Sequence, residues 1–441
     1  MTTSEAGAAV AEDAVTRRQV IAAAAASVLG WSLDLFDLFI ILYVAPVIAP
    51  LFFPSHILTL SLAAVYASFA VTVLMRPVGS AIFGRYADKQ GRKRAMMIAI
   101  IGVGLATALL GTLPTFTQVG VLGSILFLVL RLLQGIFVGG VVASTHTIGT
   151  ETVSPRWRGL MSGLIGGAGA GVGALLGSIT FSLWSSVFPG SSFSIWGWRA
   201  MFFSGLLTTI IGLFIFRSLE ESPLWLRQQK KQEQAEKAPL KTLFAGHYLP
   251  VVLLNLVIVI GTGTLYYLTA GYLPTFLSQI SHVPRTASGL MMIGGSLIMI
   301  VSALLVGHLS ERTGRKAMFL IVGVVCLILV PTAYLFLSST SAANLGLITF
   351  YVLLLSFLGN ATCGLVPVFL NERFPTAIRA SGTSISWNIG FAVGGLTPTF
   401  VTLVSPSVKN IPLNLAIFLA VAAIILLIGG LIAPETKGIF E

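Results

Sequence analysis

Twelve apolar runs, each long enough to cross a lipid bilayer, constrain this chain more than any other feature of its sequence. A spanning helix needs about 20 mostly apolar residues. Such runs fall at 20–50, 58–83, 95–113, 119–148, 158–184 and 199–217, then at 249–278, 285–309, 316–337, 343–370, 377–404 and 412–433. Only 9% of the 441 residues are charged, about a third of the usual share, so the chain could not cover a soluble globule with charge. The expected fold is an all-α membrane protein of twelve transmembrane helices in two six-helix bundles. Its parts are an N-terminal tail over 1–18, a first bundle over 19–217, a linker over 218–247, a second bundle over 248–433 and a C-terminal tail over 434–441.

Lys and Arg in the gaps set the orientation, because cytoplasmic loops carry the excess. With the N-terminus inside, 21 basic residues face the cytoplasm, against three outside (Arg199, Arg285, Lys409) and two within spans (Arg76, Arg131). Both termini are therefore expected on the cytoplasmic side of a cell membrane, a bacterial inner membrane by expectation. The net charge of +11 forms no stripe with interleaved aromatics, which argues against a nucleic-acid partner. Cys326 and Cys363 lie inside apolar runs and are expected in the core.

The two halves repeat. Gly84, Asp88, Gly91, Arg92 and Lys93 follow the second run, and Gly307, Glu311, Gly314, Arg315 and Lys316 follow the eighth, in the same spacing. Glu151 with Arg158 after the fourth run is echoed by Glu372 with Arg379 after the tenth. Duplicated six-helix halves around a cavity describe a transporter better than a channel, receptor or membrane enzyme.

These repeats, with RPVGSAIFGRYADKQGRK from Arg76, RLLQGIFVGG from Arg131, WGWRAMFF from Trp196, YYLTAGYLPTFL from Tyr266 and NERFPTAIRASG from Asn371, resemble the major facilitator superfamily over essentially the whole chain. Within it the chain looks like the metabolite:proton symporters, which take up small carboxylates, shikimate or betaine-like solutes. Asp34-Leu-Phe-Asp37 and Glu221 to Trp225 are closer to the sialate and lactate symporters. The fifth run has no Gly-Pro step and the seventh no glutamine, which sets aside the drug antiporters and the sugar porters. The resemblance implies that the Gly84 to Lys93 loop and its copy gate the cytoplasmic mouth, with Asp88 paired to Arg92 and to the start of the eleventh helix near Arg379.

Ionisable groups inside a bilayer are expensive and usually face a bundle interior or a wet cavity. Asp34 and Asp37, three apart, share one helix face. Two carboxylates that close cannot both ionise cheaply in a low dielectric, so one is expected to hold a proton, as a proton carrier must. Arg131 lies near the midplane, where its planar fork suits a carboxylate; it serves either as the cation for an anionic substrate or as a partner of Asp37. Arg76, near the cytoplasmic end of its run, either snorkels to the interface, braces Glu151 or meets substrate. Uncharged cavity candidates in the second half are Asn255, Tyr266, Tyr267, Asn360, Trp387 and Asn388. No nucleotide fold, metal-ligand cluster or catalytic triad is visible in the sequence, so no cofactor is expected beyond a proton gradient as energy source, and no enzyme. The expected function is a monomeric symporter importing a small organic anion, a carboxylate metabolite, with protons; a proton-independent facilitator, a carrier of zwitterionic or sugar-like solutes, and a membrane sensor are the alternatives.

Overall fold

The computed structural model describes residues 17–90, 92–151, 157–218, 246, 248–375 and 378–438. In the first half the long helices are α1 (Arg17–Phe52), α2 (Leu58–Gln90), α3 (Arg92–Thr112), α4 (Val121–Glu151), α5 (Arg158–Val187) and α6 (Trp198–Ser218). In the second they are α7 (Tyr248–Gln279), α8 (Arg285–Thr313), α9 (Arg315–Ser339), α10 (Leu345–Glu372), α11 (Arg379–Leu403) and α12 (Ile411–Ile432). These twelve helices track the twelve apolar runs. Among the described residues, ten are long and apolar enough to cross a membrane by length and composition. The described apolar part of α3 is shorter, Met97–Thr112, and α11 begins with the polar series Arg379, Ser381, Thr383, Ser384, Ser386 and Asn388. Gly91, most of the 218–247 stretch and residues 1–16 lie outside the described residues, as do Gly84, Asp88, Arg92, Lys93 and Glu151 beyond their helical backbone.

Apolar side chains cover the outer faces, with Phe214, Leu290, Leu122 and Ile432 all exposed. In water such a surface would aggregate; in a bilayer it meets lipid. The interior carries the polar groups, a distribution that only a membrane makes stable.

Prolines shape two of the helices nearest the centre. Pro274 has no N–H for the Ala270 carbonyl, and α7 answers with a π stretch over Tyr267–Gly271. Pro367 likewise leaves Cys363 without its donor, and α10 tightens into a 3₁₀ turn over Ala361–Gly364. In α5 the glycine-rich Gly163–Ala168 also takes π geometry.

The halves meet along α2 against α11, α5 against α8, and α1 against α7. Counting six helices on, the pair α2 and α11 maps onto α8 and α5, so the interface carries the same pseudo-twofold as the sequence. Glycine makes the α5 and α8 crossing possible: a Cβ on Gly307 would stand 2.4 Å from the Gly159 carbonyl oxygen, and one on Gly163 2.6 Å from that of Ala303. Inside the first bundle, α2 and α4 approach as closely, with a Cβ on Gly135 placed 2.3 Å from the Thr72 oxygen and one on Gly139 2.1 Å from that of Arg76. This is the small-residue packing of membrane helices.

Gly135→Val should therefore lower thermal stability in detergent by about 1 to 3 kcal/mol through overpacking. Gly346→Ala, whose new Cβ meets only Asn344 Oδ1 at 3.9 Å, should leave the melting curve in place. Equal melting of the two variants would show that the α2 and α4 crossing is not limited by space.

Candidate functional site

The α2 and α4 glycines bring two arginines up against the carboxylates of α1. Asp34 and Asp37 share one face of α1 and are buried, at 5% and 4% exposure. Arg76 reaches Asp34 from α2: Nη2 donates to Oδ1 at 3.4 Å, and Nη1 lies 3.3 Å from Oδ2. Arg76 is itself buried in the interior, which corrects the placement near the cytoplasmic end. The helix runs on past its apolar stretch to Gln90, so a residue late in the stretch is midway along the helix.

The ion pair joins Asp34 to Arg76, while Arg131, expected either as a cation for substrate or as a partner of Asp37, bonds to neither carboxylate. Arg131 Nη1 donates instead to Gln134 Oε1, one turn along α4, and Gln134 Nε2 donates to Thr107 Oγ1 on α3 at 2.7 Å. Thr107 Oγ1 in turn donates to the Val103 carbonyl at 2.8 Å. Among the described residues, Arg131 Nε and Nη2 and Asp37 Oδ1 are buried without hydrogen-bond partners. Asp37 and Arg131 act on each other only at electrostatic range. Beside the two carboxylates, between α1, α3 and α6, Leu33, Ile100, Val103 and Thr209 line a small cavity with room for roughly one water molecule.

Arg76 also faces a second cavity, at the centre of the molecule between the two halves. Its walls are aromatic. Trp387 stacks on Phe391 with centroids 4.3 Å apart, Trp31 meets Trp387 edge-on at 5.9 Å, and Tyr267 meets Phe391 at 6.0 Å. Tyr266 packs against Tyr267 at 5.2 Å, its hydroxyl buried without a partner among the described residues. Asn388, also in the lining, donates through Nδ2 to the Ser384 carbonyl at 2.9 Å. The other two asparagines stand elsewhere. Asn360 Nδ2 donates to the Gly167 carbonyl at 3.1 Å and to that of Met299 at 2.9 Å, tying α10 to α5 across the interface. Asn255 is fully buried and outside this lining.

Hydrogen bonds join the two halves on either side of the central cavity. On one side Tyr66 donates to Thr275 Oγ1 at 2.7 Å, and Arg285 Nη1 to the Gly190 carbonyl at 2.8 Å. On the other, the Gly159 N–H donates to Glu311 Oε1 at 2.5 Å and the Val368 N–H to Ser162 Oγ at 3.0 Å.

Glu311 belongs to the second-half copy of the repeated loop. Arg315 Nη2 donates to Glu311 Oε1 at 2.8 Å and to Glu372 Oε1 at 3.0 Å, while Nε donates to Glu372 Oε2 at 3.2 Å. Gly314, at φ 94°, turns the chain between α8 and α9. Arg158 lies within electrostatic range of Glu372 and Glu311. Arg379 Nε donates back to the Asn371 and Phe374 carbonyls at 3.1 and 3.2 Å. Its expected partner Asp88 lies outside the described side chains.

Several members of these clusters carry no sequence signal of their own. Trp31, Phe391, Thr107 and Gln134 read as ordinary occupants of apolar helices. Glu435 was legible only as a carboxylate just past the last apolar run. It accepts the Arg315 N–H at 2.8 Å and the Lys316 N–H at 3.1 Å, capping α9, while Thr436 Oγ1 donates to Glu372 at 2.6 Å. Partial burial works against the charge of Glu435, but the backbone donors of Lys437, Arg315, Lys316 and Thr436 outweigh it and hold the carboxyl below its usual range.

Among known proteins, residues 20–398 match the sequence profile of the Major Facilitator Superfamily. The chain is 31% identical, over 97% of its length and 85% of theirs, to the glycine betaine/proline/ectoine/pipecolic acid transporter of Dickeya dadantii and to the proline/betaine transporter of Escherichia coli. It is 30% identical to an inner membrane metabolite transport protein of Escherichia coli, over 93% of each chain. Among solved structures, a D-xylose-proton symporter superposes with a TM-score of 0.73 at 18% identity, covering 95% of this chain and 99% of that one. That likeness shows the fold.

Removing one partner of a buried ion pair strands the other, at about 3 to 5 kcal/mol. Asp34→Asn should thus lower thermal stability strongly, and adding Arg76→Gln should recover much of the loss; additive losses in this double-mutant cycle would show that the pair is not coupled. Glu435 gives a pH signature. Because its carboxyl is depressed in the folded state, its stabilisation is complete above the unfolded value and fades as pH falls through the folded one. The acid limb of the melting profile, between about pH 5 and pH 3, should flatten in Glu435→Gln, with about 1 kcal/mol lost at neutral pH. An unchanged acid limb would show that the cap does not titrate.

Proposed function

The chain belongs to the Major Facilitator Superfamily, and from that membership we propose that it imports a small zwitterionic solute, of the betaine or proline type, together with protons. The family is one of transporters, not enzymes, and this member is a multi-pass membrane protein. The observation that carries the finer reading is the central cavity, in which Arg76 stands beside an aromatic wall of Trp31, Tyr266, Tyr267, Trp387 and Phe391.

A guanidinium fork suits a carboxylate, and aromatic faces suit a quaternary or ring ammonium. A solute carrying both groups finds a partner for each among these lining residues. The charges favour it too. Asp34, Asp37, Arg76 and Arg131 sum to zero, so a net-neutral solute enters without leaving an uncompensated charge, whereas a free anion would. The expected organic anion gives way on this ground, and the named solutes of the relatives at 31% identity support the change.

Coupling follows from the ion pair. A solute carboxylate that takes Arg76 displaces Asp34, which is then a buried charge without a cation and must be neutralised by a proton. Asp37, already without a hydrogen-bond donor on Oδ1, is the second carrier. Solute and proton are then carried together as the halves rock about the cavity. The Glu311, Arg315 and Glu372 cluster would act as a gate on the side we assign to the cytoplasm of a bacterial inner membrane, along with both termini.

Proteoliposomes loaded at alkaline pH and diluted into acid test this. Labelled glycine betaine or proline should accumulate, and a protonophore should abolish the accumulation. Asp37→Asn should lose uphill uptake and keep counterflow, since exchange needs no net proton release. Trp387→Leu should weaken affinity by roughly 2- to 30-fold, the span of about 0.5 to 2 kcal/mol for a cation on an aromatic face. Preferred uptake of succinate or lactate over glycine betaine would return the solute to a simple organic anion.

A further inference from the structure

Asn360 ties the halves together at the depth of the solute cavity. We propose that it is a positioning residue of the transport cycle, an inner latch that holds α10 against α5 and lets go when the cavity opens to the cytoplasm, an inference that rests on the alternating access proposed above and not on the identity of the solute.

Three observations carry it. The first is place. Gly166 on α5 and Cys363 on α10 both line the solute cavity. A Cβ on Gly166 would stand 2.8 Å from the Cys363 carbonyl oxygen and 2.7 Å from Pro367 Cγ. On this side the cavity is therefore bounded by the meeting of the α5 π stretch with the 3₁₀ turn of α10, and a π turn is a frequent mark of a functional site. The second is the direction of the bonds. Asn360 is fully buried, and its Nδ2 donates both to the Gly167 carbonyl of the first half at 3.1 Å and to the Met299 carbonyl of its own half at 2.9 Å. Parting the halves breaks the first bond and spares the second, so the amide stays in place to close again. The third is an acceptor left over. Asn360 Oδ1 is buried without a partner among the described residues. Water entering as the seam opens would satisfy it, which offsets part of the cost of the broken bond.

The latch also adjoins the solute wall. Trp31 Nε1 donates to the Gly166 carbonyl at 3.0 Å, so the aromatic wall and Asn360 hold neighbouring carbonyls of one strip of α5. Further toward the start of α5, Ser162 accepts the Val368 N–H and Gly159 donates to Glu311. These ties lie in series between the cavity and the side we assign to the cytoplasm. Asn360 is the one nearest the solute, and its release is what would open the cavity itself.

The chain has two cysteines, and Cys363 lines the cavity, so thiol labelling reads the latch. With Cys326→Ser as background, a membrane-impermeant methanethiosulfonate is applied to one face of oriented vesicles or to the other. Without further change, Cys363 should be labelled slowly from both faces. Asn360→Ala should speed labelling from the cytoplasmic face and slow it from the opposite face. The ratio of the two rates should change by roughly 2- to 13-fold, the weight of one hydrogen bond in a two-state equilibrium. Asn360→Ser, whose single hydroxyl can donate to only one of the two carbonyls, should shift both rates in the same directions by less, and it serves if the alanine variant does not fold. Labelling that rises from both faces overturns the latch, since that is a loosened fold. Unchanged labelling overturns it as well, because the tie then has no share in opening. Labelling of Cys363 from one face only, before Asn360 is touched, overturns the alternating access on which the latch rests.

Discussion

Hydrocarbon holds no water to solvate a charged side chain, so a charge carried into the bilayer must bring its own compensation. Among the described residues of the first bundle, two carboxylates and two guanidinium groups lie buried, and their formal charges cancel. One pair is joined directly, Asp34 to Arg76. The other is joined through space, with Arg131 hydrogen-bonded to the neutral Gln134 and Thr107 chain. That asymmetry gives the site its character: one acid held by a cation that also faces the solute, the other left with an oxygen to spare. The aromatic wall, the interface glycines and the gates all work around this balance, because any motion or ligand that breaks it costs several kcal/mol.

The interface between the halves combines aromatic pairs, such as Trp31 with Trp387 and Tyr66 with Tyr272, with a crossing made largely of backbone. Where α5 crosses α8, glycines meet carbonyls. Asn360 adds one polar tie at mid-depth, and Glu311 another near the end. Contacts of this sort can be exchanged one set for another without unpacking either bundle, which is the mechanical requirement for a solute site that opens to each side in turn.

Much of the fold was legible in the sequence because the bilayer reduces it to one dimension: length and polarity of a run fix a spanning helix. The repeat of Gly84 to Lys93 in Gly307 to Lys316 made the duplication visible, and Asp34, Asp37, Arg76 and Arg131 stood out as charges where few are tolerated. The pairing among them was not legible. It depends on how far α2 slides along α4, which Gly135 and Gly139 set by contact with backbone carbonyls, and hydropathy carries no record of that. Arg76 was misjudged in depth because an apolar run ends before its helix does. Trp31 and Phe391 were hidden for the opposite reason, being apolar residues in apolar helices. The solute's charge eluded sequence reasoning because it is a property of a sum over side chains from α1, α2, α4, α7 and α11.

The cap on α9 bears on how the chain is assembled. The first turn of that helix draws its acceptor from Glu435, 120 residues further along than Arg315. During synthesis α9 enters the membrane before this acceptor exists, and water must serve its leading N–H groups while α10, α11 and α12 follow. Closing this one turn therefore reports that the whole second bundle has been threaded in order.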